Sequence, residues 1–170
     1  MNLSDTSRKF LRELVTILDS RGWIEVDTDW ATTLITYPTV LIGNGGSATI
    51  ASHICNDLVK SGLQATIPDY ATLTCLANDF GWENAFAKYV YTMRPATLIA
   101  ISSSGRSQNI INACKVIGKS RIITLTGFDP DNPVRQLGRT NYYVPSHNYG
   151  IVECAHLAIL HSLVNPGTIG

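Results

Sequence analysis

The sequence predicts an α/β fold, a three-layer doubly wound parallel sheet with N-terminal helices, on three observations. Three short β-branched, apolar runs, TVLI at 39–42, TLIAIS at 97–102 and RIITLT at 121–126, read as strands buried on both faces. The first two each end in a polar turn that leads into a helical pattern, as strand–helix–strand units of a parallel sheet do. A length of 170 residues, 45% of them hydrophobic, makes one domain able to bury a core. Residues 1–38 read as a helical segment suited to oligomerisation and 39–170 as the α/β unit, one compact body overall.

Residues 3–20 carry Phe10, Leu11, Leu14, Val15 and Leu18 at helical spacing, with Ser4 or Asp5 as cap and Arg21-Gly22 as stop. The stretch 23–37 reads two ways: WIEVDT alternates like a strand, whereas DWATTLITY suits a helix, and we favour a helix over about 28–35. After the 39–42 strand comes a helix through Val59, a short strand at 64–67, a helix over 69–77 stopped by Asn78-Asp79, and a DFGW loop. Then follow a helix over 82–93, the 97–102 strand, a helix over 108–117, the 121–126 strand, a short helix over 132–137, a strand at 141–144 and a closing helix over 150–164.

Thirteen basic and thirteen acidic residues balance without runs of either sign, so neither nucleic acid nor an anionic membrane is indicated as a partner. The N-terminus has charges throughout instead of a signal peptide's apolar core, and no apolar run spans a bilayer, which points to a cytoplasmic protein. Cys55, Cys75, Cys114 and Cys154 are widely spaced among apolar neighbours, and we expect buried free thiols.

Chemistry concentrates in the two polar turns. Gly43, Gly45 and Gly46 allow backbone N–H groups to approach a ligand, with Ser47 adding a hydroxyl where a helix begins, a cradle for an anion. Ser102, Ser103, Ser104 and Ser107 surround Gly105, and four hydroxyls suit the oxygens of a phosphate monoester; Arg106 could add charge. Parallel sheets bind ligands at strand carboxyl ends, so on adjacent strands the two turns would face one crevice. Neither a Walker loop nor GxGxxG is present, which weighs against ATPase and dinucleotide readings. His53 and Asp57, four apart, share a helix face within reach of a common metal or substrate, although His53 among Ile50 and Ile54 also fits a core histidine, as does His161. His156 reads as structural and His147 as a solvated loop residue.

GNGGS at 43–47, the H-x-x-x-[DE] helix at 53–57, NDFG at 78–81, ISSSGRSxNI at 101–110, IITLTG at 122–127 and VECAHLAILH at 152–161 together resemble the sugar isomerase (SIS) domain family, over residues 39–165. Within it the chain is similar to the phosphoheptose isomerases, which convert sedoheptulose 7-phosphate to D-glycero-D-manno-heptose 7-phosphate. The resemblance implies a flavodoxin-like topology and a phosphorylated sugar as substrate. It implies that Asn44, Gly45, Gly46 and Ser47 line the sugar end, that Asn78 and Asp79 contact sugar hydroxyls, and that Ser102, Ser103, Ser104 and Ser107 hold the phosphate. The family's metal and acid/base positions fall on His53, Asp57, Glu153 and His161, implying one zinc ion per site, and Glu153 would also face the substrate. It further implies a homo-oligomer, a tetramer with shared sites, for which the Phe10, Leu14 and Leu18 stripe would supply packing.

The chain departs from the family pattern at Asp57, where Glu is usual, at Glu153, where Gln is usual, at Ser61, where Arg is usual, and in a loop over 145–152 one residue shorter. Isomerisation through an enediol needs a base at carbon and an acid at the oxygens, which we assign to Asp57 and His161. Two other readings stay open: a non-catalytic SIS module that binds a sugar phosphate or a protein, like the replication-initiator-associating members, and an isomerase of a different phosphosugar.

Overall fold

The structure, a computed structural model, describes residues 3–20, 24–25 and 36–164. Its elements in chain order are α1 (Leu3–Asp19), β1 (Ile24–Glu25), β2 (Thr39–Gly43), α2 (Gly46–Lys60), β3 (Ala65–Thr66), α3 (Tyr70–Phe80), α4 (Trp82–Thr92), β4 (Thr97–Ser102), α5 (Gln108–Cys114), β5 (Ile122–Gly127), β6 (Thr140–Val144) and α6 (Tyr149–Val164). The helix expected over 28–35 lies outside the described residues.

The strands form one sheet in the order β1-β6-β5-β4-β2-β3. The pairs β3–β2, β2–β4, β4–β5 and β5–β6 are parallel, as expected, whereas β1 pairs with β6 antiparallel through Ile24 opposite Tyr142. That edge strand falls in WIEVDT, whose alternation reads as a strand. Numbered by themselves, the five parallel strands follow the flavodoxin order, with β3 on one side of β2 and β4 on the other. The chain therefore reverses its direction of winding between β2 and β4.

Strand side chains alternate between two cores. Leu41, Ile99, Ile101, Ile123 and Leu125 meet Ile50, Ile54 and Leu58 of α2 and Ile151, Ala155 and Ile159 of α6. Val40, Ile42, Leu98 and Ala100 meet Phe86 and Val90 of α4 and Ile110 and Ala113 of α5 on the opposite face. Phe10, Leu14 and Leu18 of α1 pack, partly buried, against the first core of their own chain beside buried Ile17, and Leu11 and Val15 of that helix are exposed.

Helix α3 continues through Asn78 and Asp79, and Gly81 ends it, at φ 81°. Asp69 caps its start by accepting from Thr72 N–H at 3.0 Å. Cys55 and Cys114 are buried, and burial pushes the Cys114 thiol up to about 12; Cys75 and Cys154 are exposed, contrary to expectation, because α3 buries none of its residues and Cys154 lies on the outer side of α6. No helix among the described residues is long and apolar enough to cross a membrane.

Two buried contacts support the carboxyl end of the sheet. His156 of α6 is fully buried and donates Nε2–H to the Thr126 carbonyl at 3.0 Å, leaving Nδ1 without a partner. Beside it, the loop after β5 backs the serine turn. Gly105 sits at φ 63°, and a Cβ there would lie 1.8 Å from the Asn132 Oδ1. Asn132 Nδ2 donates to the Asp129 carbonyl at 2.8 Å, Asn132 Oδ1 accepts from Arg135 N–H at 3.0 Å, and Val134 N–H donates to the Gly105 carbonyl at 3.1 Å.

Gly105→Ala is expected to lose at least roughly 1–2 kcal/mol through the left-handed backbone alone, with overlap against Asn132 adding to it. The urea midpoint checks this, and the overlap part is read as the smaller loss that Gly105→Ala causes in an Asn132→Ala background than in wild type. Burial lowers the His156 pKa from 6.5 to about 4. The unfolded chain therefore binds the extra proton first: the neutral imidazole's contribution is complete above pH 6.5 and is lost as pH falls toward 4, on the order of 3 kcal/mol. His156→Gln, which keeps an N–H donor and cannot titrate, should show a shallower fall of the urea midpoint across that window.

Candidate functional site

β2 and β4 pair in register from Thr39 opposite Thr97 to Gly43 opposite Ile101, so the turns that follow them emerge side by side. A reciprocal amide pair bridges them: Asn44 Nδ2 donates to Asn109 Oδ1 at 3.0 Å, and Asn109 Nδ2 donates to Asn44 Oδ1 at 2.9 Å. An open cleft lies between the turns, lined by Asn44, Ser47, Ile101, Ser102, Ser103, Ser104, Ser107, Tyr149 and Glu153.

Among the described residues, the cleft offers hydroxyls and no free cation. Ser103 Oγ is buried and has no hydrogen-bond partner, a donor that a ligand oxygen would satisfy. Ser102 Oγ and Ser107 Oγ are 3.5 Å apart, and Ser104 Oγ accepts from Arg106 N–H at 3.3 Å. The Arg106 guanidinium is paired with the Asp129 carboxylate across the outside of the turn, so it does not line the cleft. Asp129 is held below the usual carboxylate range by the Asp131 N–H first and by Arg106 second. Gly46, at the start of α2, is approached closely by Glu153: a Cβ there would lie 2.5 Å from either carboxylate oxygen.

A second cluster lies farther along the same two helices. His161 Nδ1 is 3.3 Å and His53 Nε2 is 3.7 Å from Asp57 Oδ2, and the two imidazoles meet edge to face at 5.0 Å. Ligand atoms of the three all lie within 4.8 Å of one another. Asp57 is the most enclosed, with its side chain 13% exposed, against 54% for His53 and 39% for His161. Two imidazoles and a carboxylate with open sides are a donor set that suits zinc.

Of the residues expected to act together, one chain brings His53, Asp57 and His161 into contact and gathers Asn44, Ser47, the four serines and Glu153 around the cleft. Glu153 does not join the histidines. It lies within α6 eight residues before His161, about 12 Å along the axis, which excludes the possibility that it precedes the regular helix. Asn78 and Asp79 stand on α3 away from the cleft, Asn78 Nδ2 donating to Asp79 Oδ1 at 3.1 Å. Two residues escaped the sequence reading. Asn109 carried a signal, an Asn following a serine-rich turn, whereas Tyr149 had none beyond its place before the last helix.

No family model matches the chain. The phosphoheptose isomerase of Colwellia psychrerythraea is 35% identical over 135 residues, covering 71% of this chain and 69% of that protein. That of Sulfurimonas denitrificans is 35% identical over 134 residues, covering 72% and 69%. Among solved structures, a phosphoheptose isomerase from Neisseria gonorrhoeae superposes with a TM-score of 0.84 at 25% identity, covering 97% of this chain and 99% of its own. One from Francisella tularensis superposes with a TM-score of 0.82 at 23% identity and supports the fold. With the parallel sheet, the serine-lined cleft and relatives of this identity and coverage, the chain belongs to the phosphoheptose isomerase family.

Proposed function

We propose that the chain is an aldose–ketose isomerase that converts sedoheptulose 7-phosphate to D-glycero-D-manno-heptose 7-phosphate through an enediol. The observation that carries this reading is a carboxylate and an imidazole, Asp57 and His161, in contact at 3.3 Å in a chain that also holds a serine cleft with an unsatisfied buried hydroxyl. Asp57 is the base that carries the proton between C1 and C2, and His161 is the acid serving the oxygens. Ser102, Ser103, Ser104 and Ser107 hold the phosphate. Asn44, Gly45, Gly46, Ser47 and Glu153 line the sugar, and Asn78 and Asp79, which stand away from the cleft of their own chain, would reach it from a neighbouring copy. Binding the phosphate far from the reacting carbons supplies orientation.

His53, Asp57 and His161 would hold a zinc ion, with Glu153 as the fourth ligand. The chemistry such an ion supplies is Lewis-acid polarisation of the substrate carbonyl. Because Glu153 stands about 12 Å along α6 from His161, a fourth ligand from Glu153 has to come from another copy. This separation, and the exposed Leu11 and Val15 on α1, support a homotetramer with sites completed across a boundary. The residues 1–38 segment would serve that assembly, and the protein would work in the cytoplasm.

Asp57→Asn and His161→Ala should each cut turnover of sedoheptulose 7-phosphate by about 10²–10⁴-fold, while inorganic phosphate still binds in calorimetry. Wild-type protein that binds sugar phosphates and turns over none from a panel of ketose phosphates would be the non-catalytic module instead, and turnover confined to another member of the panel would replace the substrate.

Ser103→Ala combined with Ser104→Ala should act on binding, weakening phosphate affinity by roughly 1–3 kcal/mol for each charged hydrogen bond lost. Elemental analysis should find about one zinc per chain in wild type and much less in His53→Ala. Sedimentation at micromolar concentration checks the tetramer, and a monomer with full activity would defeat it.

A further inference from the structure

The loop that backs the serine turn also sets an aromatic wall beside it. Tyr149, the first residue of α6, lines the cleft with its side chain largely open, the residue being 58% exposed, and its hydroxyl has no hydrogen-bond partner among the described residues. Phe128 meets the Tyr149 ring edge to face at 4.7 Å and 70°. Phe128 has φ 61°, the only non-glycine residue with positive φ among those described. A bulky side chain in that region is disfavoured and persists only where the surroundings fix it. Both of its backbone groups are fixed: its N–H donates to the Ser146 carbonyl at 3.0 Å, and its carbonyl accepts from Tyr143 Oη at 2.9 Å. The His147 ring also meets the Phe128 ring, at 5.5 Å between centroids.

Resting on the reading of the serine cleft as a sugar-phosphate site, we infer that Tyr149 is a specificity-determining residue that contacts the sugar, and that Phe128 is a positioning residue for it. Every other lining side chain except Ile101 is polar. An exposed ring with an unpaired hydroxyl at such a site offers what hydroxyls cannot: an apolar face for the C–H groups of a sugar, and a donor for one of its oxygens. Inorganic phosphate reaches the serines without needing either. The wall therefore selects sugar phosphate over phosphate.

The test measures calorimetric affinity for sedoheptulose 7-phosphate and for inorganic phosphate, with KM and kcat, in Tyr149→Ala, Tyr149→Phe and Phe128→Gly. Glycine keeps the left-handed backbone available, so its effect reports the ring and not the strain. Tyr149→Ala should weaken sugar phosphate about tenfold and inorganic phosphate less than about twofold, raising KM by more than it lowers kcat. Tyr149→Phe should lose less than Tyr149→Ala. Phe128→Gly should reproduce most of the Tyr149→Ala loss, with both ligands read against an unchanged fold by circular dichroism.

Equal weakening of both ligands, or no change in their ratio, overturns the inference. A change in that ratio at Tyr149 with none at Phe128 overturns the positioning role. A wild type that turns over no member of the panel defeats the isomerase reading but not this inference, since the affinity ratio, measured with whichever panel sugar phosphate binds, still decides Tyr149.

Discussion

Parallel pairing of β2 with β4 is the constraint on which the rest of the molecule depends. With β3 on the far side of β2, the helix after β2 covers the sheet face built from Leu41, Ile99 and Ile101, and the helix after β4 covers the face built from Val40, Leu98 and Ala100. The two connections diverge, and the space between them is the crevice that doubly wound sheets use for ligands. Asn44 and Asn109 then tie the lips of the crevice together through both atoms of each amide. One N–H and one oxygen lone pair of Asn44 are thus held by the scaffold, which fixes the direction of the second N–H and lone pair.

Helix geometry explains why the cleft and the acid/base cluster are separate within one chain. α2 starts at the cleft with Gly46 and reaches Asp57 eleven residues later, about 16 Å at 1.5 Å per residue; α6 travels from Glu153 to His161 in the same direction. The two helices pack together along the sheet, so near their starts Glu153 meets Gly46 and near their ends His161 meets Asp57. Each contact is local to its own level of the helix pair. No rotation of side chains joins the levels, which is the physical ground for bringing a second copy into the proposed site.

The fold was legible because the buried strands announce themselves. TLIAIS is apolar and β-branched with a polar turn at its end, and its expected bounds coincide with β4. The serine turn was legible as a site for the same reason, since its hydroxyls follow a buried strand directly. Asn78-Asp79 read as a stop from low helix propensity, but nothing there breaks the backbone, and the chain stays helical until Gly81 supplies positive φ. The edge strand β1 depends on β6, more than a hundred residues away, and Glu153's separation from His161 depends on where α6 begins. Such facts belong to tertiary pairing, which local pattern does not encode. Tyr149 was invisible on that account: its role comes from Phe128, whose backbone is set by Tyr143 and Ser146.

The two carboxylate departures acquire different meanings once they are located. Asp57 has the Lys60 ammonium 3.9 Å from Oδ1 on its own helix and the imidazoles of His53 and His161 at 3.7 and 3.3 Å from Oδ2. Glu153 has no cationic partner among the described residues and lies in the cleft itself, while Arg106, the nearest arginine in sequence to the serines, is spent on Asp129. Among the described residues of one chain, a phosphate dianion in this cleft would meet a carboxylate and no free guanidinium, and what the chain itself offers it is directed hydrogen bonds from hydroxyls and backbone N–H groups. Hydrogen bonds of that kind depend on geometry to a greater degree than ion pairs do. That requirement accounts for a serine turn backed so closely by Asn132 that Gly105 has no room for a methyl group.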